Sequence, residues 1–177
     1  MSNELFELAK KGAKEWNKWA RAMLTDEDIN AFSINDEKKG WIKSIPIITS
    51  EELADINPVL RDRIGYGTEQ RFEISLNWGI SFRDFLFPCY TVIVEREEQN
   101  DISVHCRINE QVMFRGAMFT GEVSFEAMEF YHYVSFSHAT FVEAVVFQGS
   151  IFHDTANFDN AIFEQGSIFP VDLGENA

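Results

Sequence analysis

Large apolar side chains recur through the second half of the chain with a fixed period. Between Phe114 and Phe169, each phenylalanine follows the last at steps that alternate between five and six residues. The eleven positions are Phe114, Phe119, Phe125, Phe130, Phe136, Phe141, Phe147, Phe152, Phe158, Phe163 and Phe169. The residue two places before each Phe is Ala, Val or Ser, except for Met128. Because residues i and i−2 point to the same side of an extended chain, each short strand would bury a Phe together with a small partner.

This period predicts a solenoid of short strands. A right-handed helical supercoil also has an 11-residue repeat, but Phe and Val are poor helix formers and glycines interrupt every possible helix. Extended segments that all bend the same way form coils that stack through backbone hydrogen bonds. Four alternating faces give a coil of 22 residues. The predicted inward columns are Phe114/Phe136/Phe158, Phe119/Phe141/Phe163, Phe125/Phe147/Phe169 and Ile108/Phe130/Phe152.

The repeats resemble those of a known family. The runs Phe-Arg-Gly-Ala-Met-Phe (114–119), Phe-Ser-His-Ala-Thr-Phe (136–141) and Phe-Asp-Asn-Ala-Ile-Phe (158–163) are similar to pentapeptide-repeat proteins of the A-x-F-x-x type. The resemblance implies a mainly β fold, a right-handed quadrilateral β-helix with four faces per coil. It covers about a third of the chain tightly, from Phe114 to Phe169.

The amino-terminal segment predicts an α-helical cap. Apolar residues from Leu5 to Leu24 fit one helix face, basic residues lie opposite, and Ser2 is a plausible N-cap. The run 16–19 resembles the W-N-x-W element found before such β-helices, although Ala20 stands where the family commonly has Arg. Trp16 and Trp19 are the predicted cap residues, covering the apolar end and open strand edges of the first coil. Acidic residues within the segment disfavour the alternative, a membrane-binding helix.

We divide the chain into four parts. Residues 1–71 are predicted to form a helical cap and an irregular region, in which 25–48 is turn-rich and Thr49 and Glu52 have capping-box spacing. Residues 72–113 are predicted as degenerate coils with a loop insertion at 95–101. Their ladder is Leu76, Phe82, Phe87 and Ile93, with Phe85 large for an i−2 site. Residues 114–169 form the regular β-helix, and 170–177 are a tail.

Composition adds an acidic surface to this picture. The 177 residues include 29 Asp+Glu and 15 Lys+Arg, for a net charge of −14. Such a balance argues against direct binding of nucleic acid, which needs basic surface. From residue 114 onward there are nine acids and one base, Arg115. The candidate partner-binding residues are therefore acids of the solenoid: Glu122, Glu126, Glu143, Asp159 and Glu164.

Nothing in the sequence predicts catalysis, a cofactor or a metal centre. There is no glycine-rich phosphate loop, no H-E-x-x-H and no C-x-x-C. His132 and His153 are expected near one another, and a surface metal site there is a weaker alternative to exposed turn residues. An enzyme built on residues 25–72 is disfavoured because that region has no His or Cys. The two cysteines, with no signal peptide or membrane span in the sequence, lead us to expect a cytoplasmic protein.

The sequence therefore predicts a non-catalytic protein-interaction scaffold with an unidentified protein partner and no membrane partner. The alternative comes from the resemblance: the quinolone-resistance group of these proteins resembles duplex DNA in shape and charge and binds DNA gyrase. A rod with ~4.8 Å per coil would be short for such a mimic unless two chains joined end to end. Only eight residues follow Phe169. We accordingly expect either an end-to-end homodimer through the carboxyl-terminal coil or a fragment of a longer solenoid.

Overall fold

The computed structural model describes residues 3–54, 72–75, 81–94, 106–108, 111–165 and 167–168. The helices in this part of the chain are α1 (Asn3–Lys10), α2 (Ala13–Ala22), α3 (Asp26–Ala31), α4 (Asp36–Ser44) and α5 (Ser50–Ala54). The strands are β1 (Phe72–Ser75), β2 (Leu86–Phe87), β3 (Thr91–Val94), β4 (Cys106–Ile108), β5 (Val112–Met113), β6 (Met118–Phe119), β7 (Val123–Ser124), β8 (Met128–Phe130), β9 (Val134–Ser135), β10 (Thr140–Phe141), β11 (Val145–Val146), β12 (Ile151–Phe152), β13 (Ala156–Asn157), β14 (Ile162–Phe163) and β15 (Ser167–Ile168).

The strands form four stacked parallel sheets. Sheet A has the order β1-β3-β7-β11-β15, sheet B β5-β9-β13, sheet C β2-β6-β10-β14 and sheet D β4-β8-β12. Each strand pairs in parallel with the strand one coil away, so that Phe119 lies opposite Phe141 and Phe141 opposite Phe163. The predicted stacking of parallel strands is therefore confirmed. We call the turn that joins one sheet to the next a corner.

The phenylalanine side chains fill the interior as stacked rings. In the column that begins at Phe114, the ring centroids are 5.2 Å apart to Phe136 and 4.9 Å from there to Phe158, with nearly parallel planes. The remaining stacked pairs of the four columns are Phe119–Phe141, Phe141–Phe163, Phe125–Phe147 and Phe130–Phe152, at 5.0–5.1 Å. Ile108 lies opposite Phe130 in the register of sheet D. Phe169 and the predicted dimer surface beyond it lie outside the described residues.

The degenerate coils extend two of these columns. Phe82 stacks on Phe114 at 5.3 Å and Phe87 on Phe119 at 4.5 Å. In sheet A, Ile74 lies opposite Ile93. Phe72 lies opposite Thr91, so β1 and β3 pair with a shorter offset than the 22 residues of the regular coils. Leu76 and the predicted loop at 95–101 lie outside the described residues.

Tight turns at the corners explain several small or polar residues. Asp84, Gly116, His138 and Asn160 occupy equivalent positions one coil apart, all with φ between 56° and 69°. Glycine and short polar residues adopt this left-handed conformation at least cost. Gly121 is required for another reason: a Cβ there would lie 2.5 Å from the backbone of Cys89 and Tyr90 in the preceding coil.

The amino-terminal helices differ from the prediction in two ways. The single helix expected from Leu5 to Leu24 is broken into α1 and α2 at Gly12, whose φ of 89° is incompatible with a helix. The region 25–48, expected to be irregular, contains α3 and α4. Both are too short for apolar periodicity to reveal them, but their starts are well capped: Thr25 forms a capping box with Asp28, and the Asn35 side chain caps α4.

Helix α5 begins with the capping box that the sequence predicts. The Thr49 backbone N–H donates to Glu52 Oε2 at 2.8 Å, and the Glu52 N–H donates to Thr49 Oγ1 at 3.2 Å. Lys18 Nζ of α2 also donates to Glu52 Oε1, at 3.0 Å. The hydrogen bond from the Thr49 backbone, followed by that from Lys18, lowers the pKa of Glu52 to about 2 from an ordinary 4.5. Glu52 thus joins α5 to the cap helix α2.

The depressed pKa of Glu52 predicts an acid-dependent contribution to stability. A carboxylate with a lowered folded-state pKa stabilises the fold above its unfolded pKa, and the effect is lost as the pH falls through the folded pKa. We expect Glu52→Gln to lower the thermal midpoint at neutral pH, with the difference from wild type shrinking between pH 4.5 and about 2. Thermal unfolding followed by circular dichroism across this range measures it. Glu51→Gln is the matched control, and an equal Glu52→Gln deficit at both pH extremes would contradict the prediction.

Candidate functional site

Helix α2 closes the first edge of sheet C through side-chain hydrogen bonds. Trp16 Nε1 donates to the Leu86 carbonyl at 2.7 Å, and the Leu86 N–H donates to Asn17 Oδ1 at 2.8 Å. Asn17 Nδ2 donates to the Asp84 carbonyl at 2.9 Å. These bonds satisfy backbone groups of β2 and its flanking residue that another strand would otherwise pair. The cap therefore provides hydrogen-bond partners for the edge of the sheet as well as covering it.

The two cap tryptophans are fully buried at the same end of the core. The Trp16 ring stacks on Phe85 at 5.4 Å and meets Trp19 edge-on at 5.1 Å. Phe85 occupies the i−2 position that Ala117 and Ala139 hold in later coils. A large side chain is accommodated there because β2 is the edge strand of sheet C, and Phe85 packs on Trp16 of the cap instead of on another coil.

Helix α4, on which α3 packs, lies against the outer face of sheet C, a feature that the sequence did not predict. The outward residues Leu86, Met118 and Thr140 are at most 5% exposed, whereas Ile162 on β14 is 38% exposed. Lys38 Nζ of α4 donates to Thr140 Oγ1 at 2.6 Å. The covered part of sheet C therefore ends before its last strand.

The structure brings three of the five candidate partner-binding residues to one corner. Glu122, Glu143 and Glu164 lie one to three residues after β6, β10 and β14, the successive strands of sheet C. All three side chains are exposed, and none makes a hydrogen bond or salt bridge within the described residues. We call them the acidic corner. Glu126, which follows sheet A, and Asp159, which follows sheet B, are exposed on other corners.

A groove lies beside the acidic corner. Its walls include Asp28 of α3 and the C-cap residue Phe32. Tyr90, Glu122 and Glu143 of the solenoid also line it, and its volume is about 670 Å³. Among the residues that the structure describes, three carboxylates and two aromatic rings line the groove, and no Lys or Arg does. Asp28 was not among the candidates from the sequence, because its position here depends on a helix that the sequence did not reveal.

His153 lies on another corner, beside Tyr131 and Glu129. The His153 ring stacks on Tyr131 at 4.3 Å, and its Nε2 lies 3.2 Å from Glu129 Oε2, which also accepts a hydrogen bond from the Tyr131 hydroxyl. His153 thus stacks on the residue that precedes His132 and is paired with a glutamate. Among the described residues, no group of three or more His, Cys, Asp or Glu side chains is arranged to hold a metal ion.

Stacked parallel sheets of two- to four-residue strands, with a stacked phenylalanine core and amino-terminal helices, define a β-solenoid repeat protein. A family model described as pentapeptide repeats (9 copies) matches residues 125–169. Residues 125–169 of the chain therefore consist of pentapeptide repeats, as the sequence predicts. Comparisons with curated proteins and with solved structures gave no match. No helix in the described ranges is both long and apolar enough to cross a membrane.

Proposed function

We propose that this protein is a non-catalytic interaction scaffold, built on a right-handed quadrilateral β-helix, that binds a protein partner through the acidic corner and its groove. The pentapeptide-repeat family is consistent with a non-catalytic repeat scaffold. The observation that carries the proposal is the placement of Glu122, Glu143 and Glu164 on one corner of three successive coils, beside a groove of about 670 Å³.

The solenoid supports such a surface because its coils fix the spacing of exposed side chains. Adjacent strands lie ~4.8 Å apart, so residues on one corner form a closely spaced row. Backbone hydrogen bonds between coils hold that corner: Thr91 N–H donates to the Glu122 carbonyl at 2.8 Å, and Glu164 N–H donates to the Phe141 carbonyl at 3.0 Å. A partner with a basic segment would meet preordered carboxylates, and its binding should weaken with salt because the acidic side chains are exposed.

Charge reversal tests the proposal. The variant Glu122→Lys/Glu143→Lys/Glu164→Lys should reduce partner affinity by at least about tenfold, because exposed ion pairs contribute up to ~1 kcal/mol each and reversal adds repulsion. The matched control is Glu126→Lys/Asp154→Lys/Asp159→Lys, which makes the same change in net charge on other corners. Partners captured from an extract of the native cell are then purified, and their affinities for wild type and both variants measured by calorimetry.

Equal loss of binding in both variants would show that net charge, rather than the acidic corner, determines the interaction. The same proteins test the alternative that the acidic rod mimics duplex DNA and binds gyrase or another topoisomerase. A row of one carboxylate per coil favours that alternative, whereas coverage of sheet C by helices that carry Lys38, Lys39 and Lys43 disfavours it. Inhibition of gyrase supercoiling by wild type but not by the acidic-corner variant would support mimicry. No inhibition and no protection from quinolone at micromolar protein would exclude it.

A further inference from the structure

The amine of Lys38 lies at a cleft between α4 and the solenoid. The side chain is half-buried, and its Nζ donates to Thr140 Oγ1 on the outer face of sheet C. The cleft has a volume of about 360 Å³ and is lined across from α4 by Asp84, Gly116 and His138, three of the stacked corner residues. Lys38 is thus held in a fixed position, with free space beside it.

The surroundings of Lys38 lower its pKa on balance. Glu37 on α4 and Glu164 on the acidic corner favour the ammonium, and Asp84 and His138 line the far side of the cleft. Burial outweighs the two glutamates and lowers the pKa of Lys38 below its ordinary 10.5. Because only the neutral amine has a lone pair to donate, burial at this cleft makes Lys38 a better nucleophile near neutral pH.

We propose that Lys38 is an acylation site that accepts an activated acyl group from an acyl phosphate or an acyl thioester. The Nζ lone pair forms a bond to the acyl carbonyl carbon, and the carbon–oxygen or carbon–sulfur bond breaks. The phosphate or thiolate leaves with the bonding electrons, and the amine releases a proton to solvent. The site is separate from the proposed acidic-corner function and does not depend on it.

The cleft accommodates the product as well as the reactant. Its volume is more than ten times the ~30 Å³ that a water molecule occupies in the liquid, so a small acyl group fits without displacing the helix. The resulting amide keeps one N–H, which can still donate to Thr140 Oγ1. Acylation removes the positive charge that faces Glu37 and Glu164, and therefore makes this side of the solenoid more acidic.

Lys39 and Lys43 are internal controls on the same helix. Lys39 Nζ donates to the Asn30 carbonyl at 2.8 Å and Lys43 Nζ to Asn30 Oδ1 at 2.6 Å, so neither amine reaches sheet C in this arrangement. The full-length folded protein is incubated with acetyl phosphate near pH 8, and in a second arm with acetyl-coenzyme A. Digestion after glutamate and tandem mass spectrometry then give the initial acetylation rate of each lysine.

We expect Lys38 to react at least about threefold faster than Lys39 with one or both donors, and its rate to level off at a lower pH. The arm that gives the preference identifies the donor class. Lys39→Arg should leave the Lys38 rate unchanged, and Lys38→Arg should remove the fast site. In concentrated guanidinium chloride the two lysines should react alike. Equal rates in the folded protein with both donors, or a preference that survives denaturation, would overturn the proposal.

Discussion

Replacing Phe136 by alanine is expected to lower the free energy of unfolding by about 3–5 kcal/mol, the range for removing a buried phenylalanine ring. Phe136 is fully buried in the middle of its column. Its ring stacks on Phe114 and Phe158 and meets Phe125 and Phe147 edge-on at 5.2 and 5.6 Å. The substitution would therefore remove contacts with the coil before, the coil after and the neighbouring column at once.

The cavity left by Phe136→Ala should persist because the surrounding backbone cannot close on it. The Phe136 N–H donates to the Asn157 carbonyl at 2.7 Å and the Phe114 N–H to the Ser135 carbonyl at 2.7 Å, so both neighbouring coils are fixed at the strand spacing. Sites that collapse least lose most stability.

Equilibrium unfolding in urea, monitored by both circular dichroism and tryptophan fluorescence, measures the loss of stability and checks that the transitions coincide. Phe163→Ala is the matched control, since that ring is only half-buried and should cost less. If Phe136→Ala lowers the free energy of unfolding by less than about 1 kcal/mol, the surrounding residues must close the cavity, and this would contradict a rigidly stacked core.

The inward columns were predictable because the solenoid imposes the same environment on every coil. A position such as Phe141 has a chemically equivalent neighbour above and below, Phe119 and Phe163, so one residue type recurs at a constant interval. The same logic extends only partly into the first coils. There Ile74 lies opposite Ile93, and the offset between β1 and β3 is shorter than the repeat.

The helices over sheet C were not predictable, because what holds them is distant in sequence. Helix α3 has six residues and α4 nine, and isolated helices of such length are marginal in water. One contact that fixes α4, from Lys38 to Thr140, joins residues 102 positions apart. By contrast, the break between α1 and α2 has a cause that is local in sequence, since Gly12 lies within the predicted helix and adopts a positive φ.

The candidate site was half predictable for the same reason. The sequence alone assigns the acidic residues to the solenoid, and the coil length assigns each of them to a corner. Glu122, Glu143 and Glu164 are 21 residues apart, one less than a coil, so they fall on the same corner of successive coils. Glu126 and Asp159 fall at other points of the coil. No repeat relates Asp28 to these residues, and only the packing of α3 brings it to the groove.

Asn17 is expected to contribute nearly as much stability as a core phenylalanine although it is polar. Asn17→Ala would leave the buried Leu86 N–H without its partner and would remove the partly buried bond to the Asp84 carbonyl. An orphaned buried group costs about 1–3 kcal/mol and a lost hydrogen bond about 0.5–1.5 kcal/mol, so we expect a loss of about 2–4 kcal/mol. Trp16→Phe keeps an aromatic ring but removes the bond to the Leu86 carbonyl and part of a buried side chain, so its loss should be about 2–3 kcal/mol. Lys14→Ala, on the exposed face of α2, should change stability by less than about 0.5 kcal/mol.

Hydrogen exchange separates hydrogen bonding by the cap from simple coverage of the core. If Asn17 takes the place of a missing strand, Asn17→Ala should accelerate hydrogen exchange of the Leu86 amide far more than that of the Thr140 amide. Thr140 lies on β10, two strands away from β2, and its amide donates to the Ala117 carbonyl. Asn17→Asp keeps the acceptor for Leu86 but loses the donor for Asp84 and buries a charge, so it should also destabilise. If α2 only shields apolar surface, Asn17→Ala would leave both exchange rates and the unfolding free energy near those of Lys14→Ala. The edge of sheet C would then be stabilised by burial of Trp16 alone, and its backbone groups would have to find solvent as their partner.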